Sequence, residues 1–116
     1  MENIDSILSS IKKQLSGINE DEVQFDSEII MAINSTLAIL TQLGVGPPQG
    51  FSISDKNSMW EDFIGANKKL EFVKTYVYLK VKLLFDPPLS SAAIDSIKQS
   101  IDEYSWRISV AVEEVV

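Results

Sequence analysis

The chain contains neither cysteine nor histidine. Without cysteine there can be no disulfide, no thiolate metal site and no cysteine nucleophile. Without histidine the commonest general base and the commonest zinc ligand are missing as well. Cations are scarce: 10 Lys and Arg stand against 17 Asp and Glu, leaving a formal charge of −7. That balance argues against DNA or an anionic membrane as the main partner, since both reward a basic surface. Long apolar runs are also lacking. The best candidate, Val73 to Phe85, is interrupted by Lys74, Lys80 and Lys82 and falls short of the ~20 residues a membrane span needs. Met1-Glu2-Asn3-Ile4-Asp5 has neither a basic nor an apolar signal region, so no secretory signal is expected there.

What is present is the composition of a folded domain: 116 residues, 45% apolar and 23% charged. A single domain of this size, spanning residues 1–116, buries about two thirds of its unfolded surface and needs no staples. Apolar residues recur in steps of three and four. Ile4, Ile7, Leu8, Ile11 and Leu15 make one stripe, ended by Lys12, Lys13 and Gly17, with the cations near the negative helix pole. A second helix opens at Asp26 as N-cap, stapled by Phe25 and Ile30. It buries Ile29, Ile30, Ile33, Leu37, Leu40 and Leu43 and ends at Gly44.

Residues 44–57 then form a long irregular loop, because Gly44-Val45-Gly46-Pro47-Pro48-Gln49-Gly50 cannot continue a helix; Phe51-Ser52-Ile53 is a short extended stretch. Ser58 and Glu61 have the spacing of a capping box for a short helix through Trp60 and Phe63, closed by Gly65. The fourth helix is expected from about Asn67 to Phe85. Its main stripe is Leu70, Val73, Tyr76, Val77, Val81 and Leu84, and further apolar residues widen it almost all round, so it is central or covered by a partner. Ser90 or Ser91 caps the last helix, whose Ile94, Ile97, Ile101, Tyr104, Ile108, Val112 and Val115 follow a heptad-like spacing that intramolecular packing explains by default. The fold class is therefore all-α: a small bundle of about four main helices plus a short one, with one long loop at about 44–57.

No motif carries chemistry. Gly44 to Gly50 lacks the lysine of a phosphate loop, and Pro47 and Pro48 remove amides that would cradle phosphate. Ser9-Ser10-Ile11-Lys12-Lys13 has a Ser-x-x-Lys spacing without the further motifs of serine acylases. The acidic run from Glu20 to Glu28 lacks the central glycine and ligand order of a calcium loop. Neighbouring carboxylates such as Glu61 with Asp62, or Asp102 with Glu103, point different ways on a helix and cannot form an acid–base pair. Asn34-Ser35-Thr36 matches a glycosylation acceptor but lies inside a helical pattern. Trp60, Phe63, Phe51 and Phe72 lack the surrounding arginines of a base-stacking surface and read as core or interface. No catalytic residue, cofactor or metal is expected; an enzyme would have to work with Asp, Glu, Lys or Tyr alone.

The wording of the sequence says more. In order it holds Asp26-Ser27-Glu28-Ile29-Ile30-Met31-Ala32-Ile33-Asn34-Ser35, Leu43-Gly44-Val45-Gly46-Pro47, Gly50-Phe51-Ser52-Ile53-Ser54-Asp55-Lys56, Trp60-Glu61-Asp62-Phe63-Ile64-Gly65, Tyr78-Leu79-Lys80-Val81-Lys82-Leu83-Leu84-Phe85-Asp86-Pro87-Pro88 and Ile101-Asp102-Glu103-Tyr104-Ser105-Trp106-Arg107. This set, spread over about Ile4 to Val112, resembles the head-to-tail connector (adaptor, or head-completion) proteins of long-tailed phages and prophages of Gram-positive bacteria.

The resemblance implies a structural protein of the virion neck, assembled in the host cytoplasm. Its copies would form a homo-oligomeric ring, usually of twelve, beneath the portal protein, and would hold a downstream neck or tail-completion protein. DNA would pass through without specific binding, and no membrane is involved. Within that reading the loop is the expected place of assembly contacts, with Pro47, Pro48, Phe51 and Ile53 as candidates: the prolines limit the entropy lost on docking, and the two apolar residues could anchor a neighbour. Alternatively, Phe51 and Ile53 fold back onto their own bundle. A rival class also remains open, a small acidic helical adaptor or regulator binding a host or phage protein as a monomer or dimer.

Overall fold

Helices form where the apolar spacing calls for them. The computed structural model describes residues 6–15, 18–19, 21–65 and 72–115, with side chains as far as Glu113. Among these residues the chain is all-α, with α1 (Ile7–Gln14), α2 (Asp26–Gln42), α3 (Trp60–Ile64), α4 (Val73–Phe85) and α5 (Ser91–Val115). The broadly apolar α4 is the central element. It packs against α2 and α5, and α1 lies against both α2 and α4. Val73, Tyr76, Val77 and Val81 are buried, while Phe72, Tyr78, Leu79, Leu83 and Phe85 are half-buried against the same core. Its cover is thus supplied by its own chain.

Ring contacts fix the directions. Phe25, before α2, meets Phe85 at the end of α4 edge-to-face at 5.8 Å, so α2 and α4 run antiparallel. Phe72, before α4, stacks on Tyr104 of α5 at 6.2 Å, and since only Asp86 to Ser90 separate the end of α4 from the start of α5, α5 runs back antiparallel to α4. The apolar stripe of α5 turns inward: Ile101, Ile108 and Ala111 are buried and Ile97, Tyr104 and Val112 pack against the core. On its outer side Arg107 Nε bonds Glu103 at 2.9 Å, an exposed pair contributing about 0.3–0.5 kcal/mol.

Several local expectations shift. Asp26 is the first residue of α2, not its cap; Phe25 holds the cap position with no side-chain bond. The carboxylate is engaged elsewhere, 2.8 Å from Lys12 Nζ. Lys12 is itself buried and also donates to the Glu22 carbonyl, so it ties α1 to the start of α2 instead of merely ending a helix. The capping box moves on by one residue, from Ser58 and Glu61 to Met59 and Asp62, with Met59 N donating to Asp62 Oδ2 at 2.9 Å. An antiparallel bridge between Ser6 and Met59 holds that strand of chain extended, so α3 starts one residue later.

Of the two serines before α5, Ser90 is the cap: its Oγ accepts from Ala93 N at 3.0 Å. Leu84, expected in the buried stripe of α4, is 64% exposed. The first buried residue of α5 is Ile101, so at this end the face has run past its cover. Ile4, Gly17, the segment 67–71 of the expected fourth helix with Leu70, and the Val115 side chain lie outside the described residues.

Candidate assembly surface

The loop between α2 and α3 is irregular but closely held. Its first turn follows α2 directly, with Val45 N donating to Leu40 O at 2.9 Å and Gly50 N to Pro47 O at 3.0 Å. Val45 is buried. Gly46 has φ +80°, and a Cβ there would come 2.5 Å from the ring of Phe63. Both the backbone angle and the close approach therefore demand glycine. Farther on, Asn34 of α2 clamps the loop with its side-chain amide: Ile53 N donates to Asn34 Oδ1 at 2.8 Å and Asn34 Nδ2 donates to Ile53 O at 2.9 Å. The amide acts as a strand edge one residue long, satisfying both backbone groups of a buried loop residue.

The far end of the loop is tied to α1. Ile7 N donates to Ser58 O at 3.0 Å, Ser6 Oγ donates to Lys56 O at 2.7 Å, and Trp60 Nε1 donates to Ser10 Oγ at 2.8 Å. Ser6 also caps α1, accepting from Ser9 N at 3.2 Å. One serine thus closes a helix and anchors the loop.

This geometry places the four candidate contact residues differently. Ile53 is buried, and Phe51 is half-buried with its ring 5.3 Å from Phe63. Pro47 is half-buried and Pro48 exposed. Both apolar residues are therefore partnered by their own bundle, while Pro48, Gln49, Ser52 and residues 54–57 are among the exposed positions of the loop. Trp60 and Phe63 are core.

Beside the loop lies a cleft of about 390 Å³ with Leu8, Ser9, Lys12, Val23, Asp26 and Ile30 among its lining residues. Lys12 is committed to Asp26 and Glu22, so it presents no free cation there. Among the described residues no group of three or more His, Cys, Asp or Glu side chains could hold a metal ion, and no helix is long and apolar enough to cross a membrane. Burial, and secondarily the charge of Asp102, raise the phenol of Tyr76 above its ordinary value near 10.

Sequence reasoning missed the roles of Asn34 and Lys12. Asn34 is a lone amide beside the buried Ile33 and Leu37, and Lys12 follows Leu8 by one helical turn on a buried stripe. Polar groups at such positions need partners, and that was the available signal.

Comparison with known families gives one match. The family described as "Phage connector protein" fits residues 7–115. No curated protein and no solved structure matches the chain.

Proposed function

The chain belongs to the phage connector protein family, and from that premise we propose that it is a structural subunit of a ring joining the capsid portal to the tail. The observation that carries this reading is the extent of the match, which runs from the first residue of α1 to the end of α5. It therefore takes in the whole bundle and its loop. The work of such a subunit is mechanical: to extend the DNA channel below the portal protein and to hold the next neck or tail-completion protein, with no catalytic step. Assembly takes place in the host cytoplasm before the particle is complete.

In this reading the loop carries assembly contacts. Pro48 is one of its exposed positions, Pro47 stiffens it, and Phe51 and Ile53 hold it in shape from within. A contact loop that must meet a neighbour in one geometry gains from being pre-ordered, because less entropy is lost on docking. Asn34, Ser6 and Phe63 supply that order here.

The test is to mix the purified chain with tail-less, DNA-filled heads that carry their portal, and to image them by electron microscopy. A ring of added density beneath the portal is expected. Pro48→Glu, at an exposed position, should keep the melting temperature and weaken attachment. Heads that gain no density at saturating protein would overturn the neck assignment.

A further inference from the structure

α2 has an outer face that none of the described residues covers. Met31 is 70% exposed and Ile39 38%, and Ser35, Ala38 and Gln42 are exposed with them. Met31, Ser35, Ala38 and Gln42 follow one another in alternating steps of four and three, the 3.5-residue spacing along which two helices pack. The face is also electrically silent. From Ile29 to Ser54 the sequence holds no charged residue, although charged side chains ordinarily make up about a quarter to a third of a soluble surface.

Charge decides what fits there. The chain carries −7, and exposed carboxylates mark the other long helix: Asp95, Asp102, Glu103 and Glu113 of α5. A basic partner would be drawn to those, not to α2. Two copies of this chain repel wherever acidic faces meet, and the neutral face of α2 is where a second copy can approach without setting carboxylate against carboxylate. Ser35 and Ala38 are short enough to let another helix come close, and Met31 and Ile39 add apolar area on either side.

We propose that the outer face of α2 is the surface at which a second copy of this chain docks. The proposal rests on the ring reading above and names one of the two different faces that a closed ring needs, the neighbour meeting it with another surface. A seam from Met31 to Gln42 is about 16 Å long, too short to supply the roughly 800 Å² per partner of a standard stable interface. Association through it is therefore weak between two free subunits and gains strength only when many subunits close together.

The test is sedimentation of the full chain at concentrations up to about 1 mM, where a weak contact of this size registers. The double variant Ser35→Glu with Ala38→Glu adds two charges at exposed positions of the seam, and Ser96→Glu with Gln99→Glu adds the same two on the exposed face of α5. Circular dichroism and melting confirm that both variants stay folded. The expected result is concentration-dependent association in the parent and the α5 variant, with at least a tenfold weakening in the α2 variant. Undiminished association of the α2 variant would overturn the assignment of this face while leaving the ring reading intact. A parent that stays monomeric throughout, and adds no ring to portal-bearing heads, would overturn both.

Discussion

Replacing Asn34 with alanine tests whether the long loop is ordered by one side chain. The amide makes two hydrogen bonds to the backbone of Ile53, at 2.8 and 2.9 Å, and the Ile53 side chain is only 4% exposed. Each bond contributes about 1 kcal/mol net, and a backbone group left buried without a partner costs about 1–3 kcal/mol. Water can reach part of this site once the amide is gone, so the expected loss is about 2–3 kcal/mol, near the lower end of the summed range. In a domain of this size that lowers the melting temperature by about 8–12 °C.

Two features separate this from a general loss of packing. Asn34→Asp keeps an acceptor for Ile53 N but sets a negative oxygen against the Ile53 carbonyl, so it too should destabilise. Hydrogen exchange should rise most at the Ile53 amide, while amides of α4 change only with global stability. Ser35→Ala, one residue along and exposed, is the control and should stay within about 0.5 kcal/mol. If Asn34→Ala melts with the control and the Ile53 amide keeps its protection, the clamp contributes nothing and the reasoning fails.

Ile108 of α5 is fully buried, so Ile108→Ala should cost about 2–5 kcal/mol by urea unfolding; a loss under about 0.5 kcal/mol would mean that this stripe does not pack the core. Burial and Asp102 raise the phenol of Tyr76, so its contribution to stability is complete below pH ~10, where the unfolded tyrosine begins to ionise, and is lost as pH climbs through the higher folded value. Urea unfolding from about pH 9 to 11 should therefore show a shallower decline for Tyr76→Phe than for the parent, and equal slopes would refute the assignment. Duplex DNA should show no appreciable binding to the isolated chain at physiological salt; submicromolar, salt-sensitive shifts in a gel assay would contradict this.

The fold was legible where burial followed period, and less so where a polar group had to be placed. Ile7, Leu8 and Ile11, or Ile29, Ile33, Leu37 and Leu40, announce their faces because helical spacing repeats over several turns. Leu84 sits in register with the same stripe yet is exposed, since a periodic pattern does not say where the covering helix ends. Caps were harder. Asp26 and Ser58 have the right chemistry, but Lys12 claims the first, and an extended pairing with Ser6 displaces the second. Both competitors are distant in sequence, and local rules cannot rank them. The loop showed the same division: its position followed from Pro47, Pro48 and the glycines, whereas the inward placing of Phe51 and Ile53 depended on Phe63 and Asn34. The family of the chain was legible from the ordered wording of its segments and not from any single residue.

On the ring reading proposed above, the placement of charge bears on how DNA would pass the subunit. The described cations divide between the surface, where Lys13, Lys56, Lys98 and Arg107 are exposed, and the packed interior. Lys12 is buried against Asp26, and Lys74, Lys80 and Lys82 are half-buried along the apolar α4, their stems covering hydrocarbon surface. Most carboxylates lie outside: Glu28, Asp55, Glu61, Asp62, Asp95, Asp102 and Glu113 are all exposed. Exposed carboxylates outnumber exposed cations among the described residues, so the surface field is acidic. Each phosphate contact made by a basic wall would add affinity, and the gain would multiply with the number of subunits around a ring, holding the duplex where it must slide. An acidic wall would leave the duplex unbound, and the same repulsion would favour contact between copies at surfaces without charge. In this chain the longest such stretch begins in α2 and ends in the loop. On that reading, one distribution of charge would serve both the passage of DNA and the choice of interface.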